Sequence, residues 1–190
     1  MKRLITLLIM CLLLCGCKMF TREKIKEEYL SGKYNIEMSI KNYGVIELEL
    51  DADSAPITVT NFINLVNEHY YDGLTFHRII KGFMMQGGQG PTTSKNIKGE
   101  FLANGVNNEI KHTRGTISMA RADDYNSGST QFFIMHADDS RLDNYYAAFG
   151  HVTKGIEVVD KVCTKAKPTD DNGTIKSEEQ PVIEYIKVVE

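Results

Sequence analysis

Residues 76–88 read Phe76-His77-Arg78-Ile79-Ile80-Lys81-Gly82-Phe83-Met84-Met85-Gln86-Gly87-Gly88. Two short apolar runs flank a Lys-Gly turn and a Gly-Gly pair closes the second, a pattern that predicts two strands joined as a hairpin. Side chains alternate faces along a strand, so Phe76, Arg78 and Ile80 are expected on one face and His77 and Ile79 on the other. After the turn, Phe83 and Met85 alternate with Met84 and Gln86. The unit thus concentrates one arginine, one glutamine and several large apolar groups. It holds no strong nucleophile, and no two of its groups have metal-ligand spacing. A site built on it would bind and polarise a group without bonding to it.

Upstream, residues 35–40 and 45–50 each alternate polar and apolar around Lys41-Asn42-Tyr43-Gly44, which predicts another hairpin. Pro56 opens a helical stretch in which Val59, Phe62, Ile63 and Val66 recur at i, i+3, i+4 and i+7. Downstream, residues 91–113 are polar and aperiodic and read as a long loop. Strands are expected at 116–119, 132–135 and 149–153, a second amphipathic helix at 155–162, a polar surface loop at 165–180 and a last strand at 181–189. Many strands with two short helices suggest a closed or nearly closed antiparallel barrel.

The 190 residues suit one domain plus a leader. A formal charge of -3 and no long basic run give no sign of a nucleic-acid partner. The N-terminus stands apart. Met1-Lys2-Arg3 is basic, and Leu4 to Leu14 is apolar but too short to span a bilayer comfortably. It runs into Leu14-Cys15-Gly16-Cys17, which resembles a bacterial lipobox. That resemblance makes residues 1–16 a lipoprotein signal peptide, removed before Cys17, whose thiol carries diacylglycerol. An ordinary signal peptide or a buried apolar segment is the other reading. A lipoprotein cysteine bears two or three acyl chains, enough for stable anchoring. Residues 17–33 are then lipid attachment and charged tether, and 34–190 the folded domain. Cys11 and Cys15 leave with the leader, so only Cys163 remains, too few for an internal disulfide. It lies in an apolar segment and reads as a small buried hydrophobe.

Two further stretches join the opening one: Gly115-Thr116-Ile117-Ser118-Met119-Ala120-Arg121 leading to Ser129-Thr130-Gln131-Phe132-Phe133-Ile134, and Leu142-Asp143-Asn144-Tyr145-Tyr146-Ala147-Ala148-Phe149-Gly150. In this order and spacing they resemble the signature blocks of the cyclophilin-type peptidyl-prolyl cis-trans isomerases, from about Asn35 to the C-terminus. The resemblance implies a closed eight-stranded antiparallel barrel with a helix capping each end, no cofactor, no metal, and proline-containing polypeptides as partners of a monomeric enzyme. With the lipobox, it implies an extracytoplasmic isomerase on a membrane surface that assists folding.

The chemistry asked of such an enzyme is modest. The prolyl amide barrier is about 18–20 kcal/mol because the nitrogen lone pair is delocalised into the carbonyl. Favouring the twisted amide, with its pyramidal basic nitrogen, needs neither a covalent step nor proton transfer. Lowering the barrier by about 6 kcal/mol speeds exchange more than about ten-thousandfold. Arg78 is the candidate: a guanidinium in a partly apolar groove can donate to the prolyl nitrogen as its lone pair localises, an interaction that grows toward the transition state. A surface arginine in an ion pair is the ordinary alternative. By resemblance, Phe83, Met84, Phe133 and Leu142 form the proline pocket, Gln86 and Gln131 hold substrate carbonyls and the arginine, and Ala120 and Arg121 offer backbone to the residue before proline. The Arg121 side chain is expected to point away. Phe132 faces the core, and His77 supports the arginine from behind.

Two positions depart from the family pattern. Arg141 stands where cyclosporin-sensitive relatives carry tryptophan, which implies weak cyclosporin binding with catalysis retained. Tyr146 stands where many relatives carry histidine, and can still wall the pocket. The Asp123-Asp124-Tyr125-Asn126 loop would favour basic substrates. The competing function is a membrane-tethered module that holds proline segments with little turnover. Loss of Arg78 or of the pocket would point to it, and both are present. His69, His77, His112, His136 and His151 show no zinc-site spacing, and Ser129 lacks a nucleophile-elbow context.

Overall fold

The computed structural model describes residues 28–91 and 95–189. The leader, Cys17 and most of the tether lie outside the described residues. Strand β1 (Lys33–Ile40) turns back through Asn42 into β2 (Gly44–Asp51), pairing Ile36 with Leu48 and Met38 with Ile46. Those four side chains are fully buried or nearly so. Just ahead of β1, the Leu30 amide donates to Thr60 Oγ1 and the Gly32 amide to Asp53, so the end of the tether is docked on the domain.

Helix α1 (Pro56–Asn67) follows and buries Val59, Phe62, Ile63 and Val66, the stripe read from the sequence. Strands β3 (Phe76–Ile80) and β4 (Met84–Gly87) form the predicted hairpin; β5 (Thr116–Met119), β6 (Phe132–Met135) and β7 (Ala148–Lys154) complete the middle of the sheet. Helix α2 (Ile156–Lys165) starts from Gly155, where a positive φ and the closeness of the Val45 carbonyl leave no room for a Cβ. Strand β8 (Ile183–Val189) ends the sheet. None of the described helices is long and apolar enough to cross a membrane.

All pairings are antiparallel, in the order β3-β4-β6-β5-β7-β2-β1-β8. Among the described residues the protein is mainly β with two α-helices, but the closed barrel expected from the sequence is not what forms. The sheet is an open half-barrel with β3 and β8 as its edges. Between them runs one bridge, Thr75 to Val182, rather than a ladder. Beyond that bridge the edge of β3 is taken by the segment before β8: the Ile79 amide donates to Gly173 O and the Ile175 amide to His77 O. Covering an exposed edge with a loop satisfies its backbone groups as closure would.

Strict alternation also fails in β3. A register shift between Phe76 and Arg78 sets Phe76 opposite Gly87 and Arg78 opposite Gln86. This bulge turns Phe76 inward with Ile79, both fully buried, while Arg78 and Ile80 face outward. Phe76 therefore does not share a face with Arg78. Inside the sheet, Phe62, Tyr71, Phe76, Phe132 and Phe149 pack as an aromatic cluster, Phe132 meeting Phe62 edge-on at 5.5 Å. Cys163 belongs to this core, free and buried, and burial pushes its thiol up to about 12.

The long loop expected at 91–113 has, among its described residues, little regular structure beyond a 3-10 turn at Leu102–Asn104, yet part of it is interior. Glu100 and Phe101 are buried, and buried Asn108 donates to the carbonyls of Glu100 and Ala148. The first turn of a helix leaves amides without partners, and Ala55 has no side chain to cap α1. Glu100 does it instead, accepting from the amides of Ile57 and Thr58 and from Thr58 Oγ1 at 2.7–3.0 Å. A carboxylate there also meets the positive end of the helix dipole. Replacing Glu100 by alanine is expected to cost about 2–3 kcal/mol, since buried amides lose a charged acceptor; urea unfolding checks it, with a lowered midpoint and unchanged slope.

Candidate active site

The outward faces of β3, β4 and β6 make the site. Register places Arg78 beside Gln86, Ile80 beside Met84, and Gln86 beside Phe133. Met84, Phe133 and Met135 form a small apolar cluster separate from the main core, joined by Ile80, Phe83, Ala120, Leu142 and Tyr146. A pocket of about 130 Å³ opens on it. Its apolar lining is Phe83, Met84, Phe133, Leu142 and Tyr146; Arg78, Gln86, Ala120 and Arg121 complete the rim. Gln131 is one bond away, accepting from Gln86 Nε2 at 2.9 Å. The structure thus gathers around one hollow the residues that the sequence had scattered over three stretches. A second hollow of about 310 Å³ shares Gln86, Ala120 and Arg121 with it.

Arg78 is half-buried and well tethered. Its Nε donates to the Asn172 carbonyl at 2.7 Å, and Nη1 reaches Gln86 Oε1 at 3.3 Å and Met84 Sδ at 3.8 Å. Burial lowers its pKa, against an opposing pull from Tyr146 and Asp170; an arginine stays charged regardless. His77 lies alongside with its Nδ1 buried and unpartnered, and burial together with Arg78 lowers its pKa. It faces away from the pocket lining.

Arg121 does not point away as expected. Its guanidinium carbon sits 4.6 Å from the centroid of the Tyr146 ring, 4.9 Å from that of Tyr125 and 5.4 Å from that of Phe101. Its nitrogens donate to the carbonyls of Tyr145, Ala122 and Asp123. It thus fastens three loops around Tyr146. Arg141, in contrast, is exposed outside the pocket and ion-paired with Asp139 at 2.6 Å.

Two groups were missed by the sequence reading. Behind the pocket, buried His112 stacks on Phe133 with centroids 6.0 Å apart. Its Nε2 is 3.0 Å from Ser118 Oγ and its Nδ1 3.1 Å from Asp143 Oδ1, which also accepts the His112 amide. Asp143 follows Leu142, so this network ties the Leu142–Tyr146 wall to β5. The only advance signal was a histidine in a stretch taken for loop. The second is Asn172, which acts through its backbone carbonyl and left no side-chain signal.

Comparison with known proteins agrees with this geometry. Residues 35–188 match the family model described as cyclophilin type peptidyl-prolyl cis-trans isomerase/CLD. Among curated proteins, the chain is 45% identical over 125 residues to peptidyl-prolyl cis-trans isomerase A of Dickeya dadantii, covering 63% of this chain and 66% of that one. It is 37% identical over 161 residues to peptidyl-prolyl cis-trans isomerase B of Escherichia coli, covering 78% and 96%. Among solved structures, a cyclophilin-type isomerase of Cryptosporidium parvum determined in the presence of the dipeptide Ala-Pro superposes with a TM-score of 0.71 at 26% identity, over 82% of this chain and 99% of that one. The chain belongs to the cyclophilin-type peptidyl-prolyl cis-trans isomerases.

The buried histidine gives the fold a pH dependence. Burial lowers the His112 pKa below its ordinary 6.5, and the opposing bond and charge of Asp143 do not reverse this. The folded state therefore favours neutral His112, so its stability contribution is complete above pH 6.5 and drains away as pH falls toward the depressed value. His77 acts in the same sense. Carboxylates held low, such as Asp51, lose their contribution only below about pH 4. Urea midpoints should fall between about pH 7 and about pH 5, and fall less in His112→Gln.

Proposed function

We propose that this protein isomerises Xaa-Pro bonds of proteins outside the cytoplasm, assisting their folding, with Arg78 as the catalytic residue and lipid on Cys17 holding it at a membrane surface. The observation that carries the chemistry is the placement of Arg78. Its guanidinium stands at the edge of an apolar pocket and is fixed through Nε and Nη1, while Nη2 has no acceptor among the described residues. A prolyl ring in the pocket meets Phe83, Met84, Phe133, Leu142 and Tyr146, which offer apolar contact to a group with no hydrogen-bonding capacity. The free edge of the guanidinium then faces the amide nitrogen. That nitrogen accepts poorly while conjugated and well once twisted, so the bond strengthens selectively in the transition state. Gln86, linked to Gln131, and the backbone at Ala120 and Arg121 hold the flanking carbonyls. The Cryptosporidium relative with Ala-Pro supports a proline-containing peptide as the substrate.

The anchoring reading rests on the first 17 residues, whose basic, apolar and Leu-Cys-Gly-Cys segments follow in lipoprotein order. Residues 17–33 form the tether and 34–190 the catalytic domain, which works as a monomer without nucleic acid. The protein then sits on the extracytoplasmic face of the cell membrane.

The full-length chain should accelerate cis-trans exchange of a short Xaa-Pro peptide in an NMR exchange assay. Arg78→Ala should lose roughly a hundred- to a thousandfold in kcat, the cost of removing a single preorganised transition-state donor, with an unchanged circular dichroism spectrum. Peptide binding without acceleration by the wild type would instead establish a holding module. For the anchor, cells fed radiolabelled palmitate should label the wild-type chain and not Cys17→Ala, and the variant should leave the membrane fraction. Equal labelling of both would refute lipidation at Cys17.

A further inference from the structure

The turn at residues 169–174 lies outside the pocket lining, yet its Asn172 carbonyl holds Arg78 and the Asp170 charge pulls on the same guanidinium. The Asn172 carbonyl takes Arg78 Nε at 2.7 Å, the shorter of the two bonds to oxygen that hold this guanidinium. Asp170, Asp171 and Asn172 are all exposed, so no burial of their side chains places that carbonyl. Hydrogen bonds place it. The Thr169 amide donates to Thr174 O at 2.8 Å, the Gly173 amide to Asp170 O at 3.1 Å, and Asp170 Oδ1 accepts the Thr174 amide at 3.0 Å. The bonds from Thr174, chief among its neighbours, hold the Asp170 carboxyl below the usual carboxylate range, so the side chain is ionised where it ties the two ends of the turn. On the other side Gly173 lies flat on β3. Its φ of +86° and the Ile79 carbonyl, 2.8 Å from where a Cβ would stand, admit only glycine.

We propose that Asp170 is a positioning residue for Arg78: its carboxylate holds the 169–174 turn in the shape that presents the Asn172 carbonyl to Arg78 Nε. Asp170 bonds within the turn, away from the pocket lining, and acts through the arginine. With Nε held, the planar guanidinium has one orientation and its outer edge stays toward the pocket. Without the turn it rotates about its last side-chain bonds, and misplacement by about 1 Å can cost on the order of a hundredfold in rate. The inference rests on Arg78 being the catalytic group, as proposed above.

The test measures kcat and KM for an Xaa-Pro peptide in full-length wild type, Asp170→Ala, Asp170→Asn, Arg78→Ala and the Asp170→Ala/Arg78→Ala double variant, with thermal midpoints alongside. Asp170→Ala is expected to lower kcat about tenfold with KM changed less than about twofold, a partial loss of oriented-donor catalysis. Asp170→Asn, whose amide oxygen accepts the same amides, should recover most of the loss. In the Arg78→Ala background the alanine at 170 should add nothing. Wild-type kcat in Asp170→Ala, no recovery in Asp170→Asn, or losses that multiply in the double variant would each overturn the proposal. Full activity in Arg78→Ala alone would overturn the Arg78 reading itself, a result this set tells apart from failure of Asp170.

Discussion

Strand β3 has a full ladder on one side only, and how its other side is satisfied governs the site. An uncovered edge exposes unpaired amides and carbonyls, which natural sheets blunt with bulges, charges or covering loops. This chain uses two of these together. The bulge between Phe76 and Arg78 sends one residue to the core and the other to the groove. The 172–175 segment lies along the remaining edge and brings the Asn172 carbonyl with it. The same contacts that finish the sheet therefore aim the guanidinium.

The groove and the core are distinct packing units. Phe132 fills the interior among Phe62, Tyr71 and Phe76, while its neighbour Phe133 faces outward with Met84 and Met135. Adjacent strand residues point to opposite faces, so one dipeptide serves both. Polar networks then brace the outer unit from behind: His112 between Ser118 and Asp143, Arg121 among three rings and three carbonyls. The walls of the proposed prolyl pocket carry no strong nucleophile, and these braces fix them from behind.

Residues with a repeating pattern were legible in advance. The α1 stripe, the β1–β2 hairpin and the opposite facing of Phe132 and Phe133 follow from periodicity. The grouping of Arg78, Gln86, Phe133 and Tyr146 was legible only through family resemblance, because no local pattern relates residues so far apart. The misreadings have separate causes. A period of two assumes no inserted residue, so the bulge at Phe76 broke it. The polar, aperiodic residues 91–113 gave no sign of which members are buried, because Glu100, Asn108 and His112 are satisfied mostly by distant backbone or side-chain partners. Asn172 works through a carbonyl that every residue possesses. Closure of the sheet was inferred from strand number, which leaves open whether the last two edges meet.

Cys163 gives the fold an internal clock. Among the described residues it is the sole thiol, sealed in α2 with a pKa pushed to about 12, so the native state offers almost no thiolate to an alkylating reagent at neutral pH. Its capture by such a reagent therefore counts openings of the α2 end of the core rather than surface accessibility. Where reclosing outpaces capture, the rate reports the population of the open form; where capture wins, it reports how often the helix lifts.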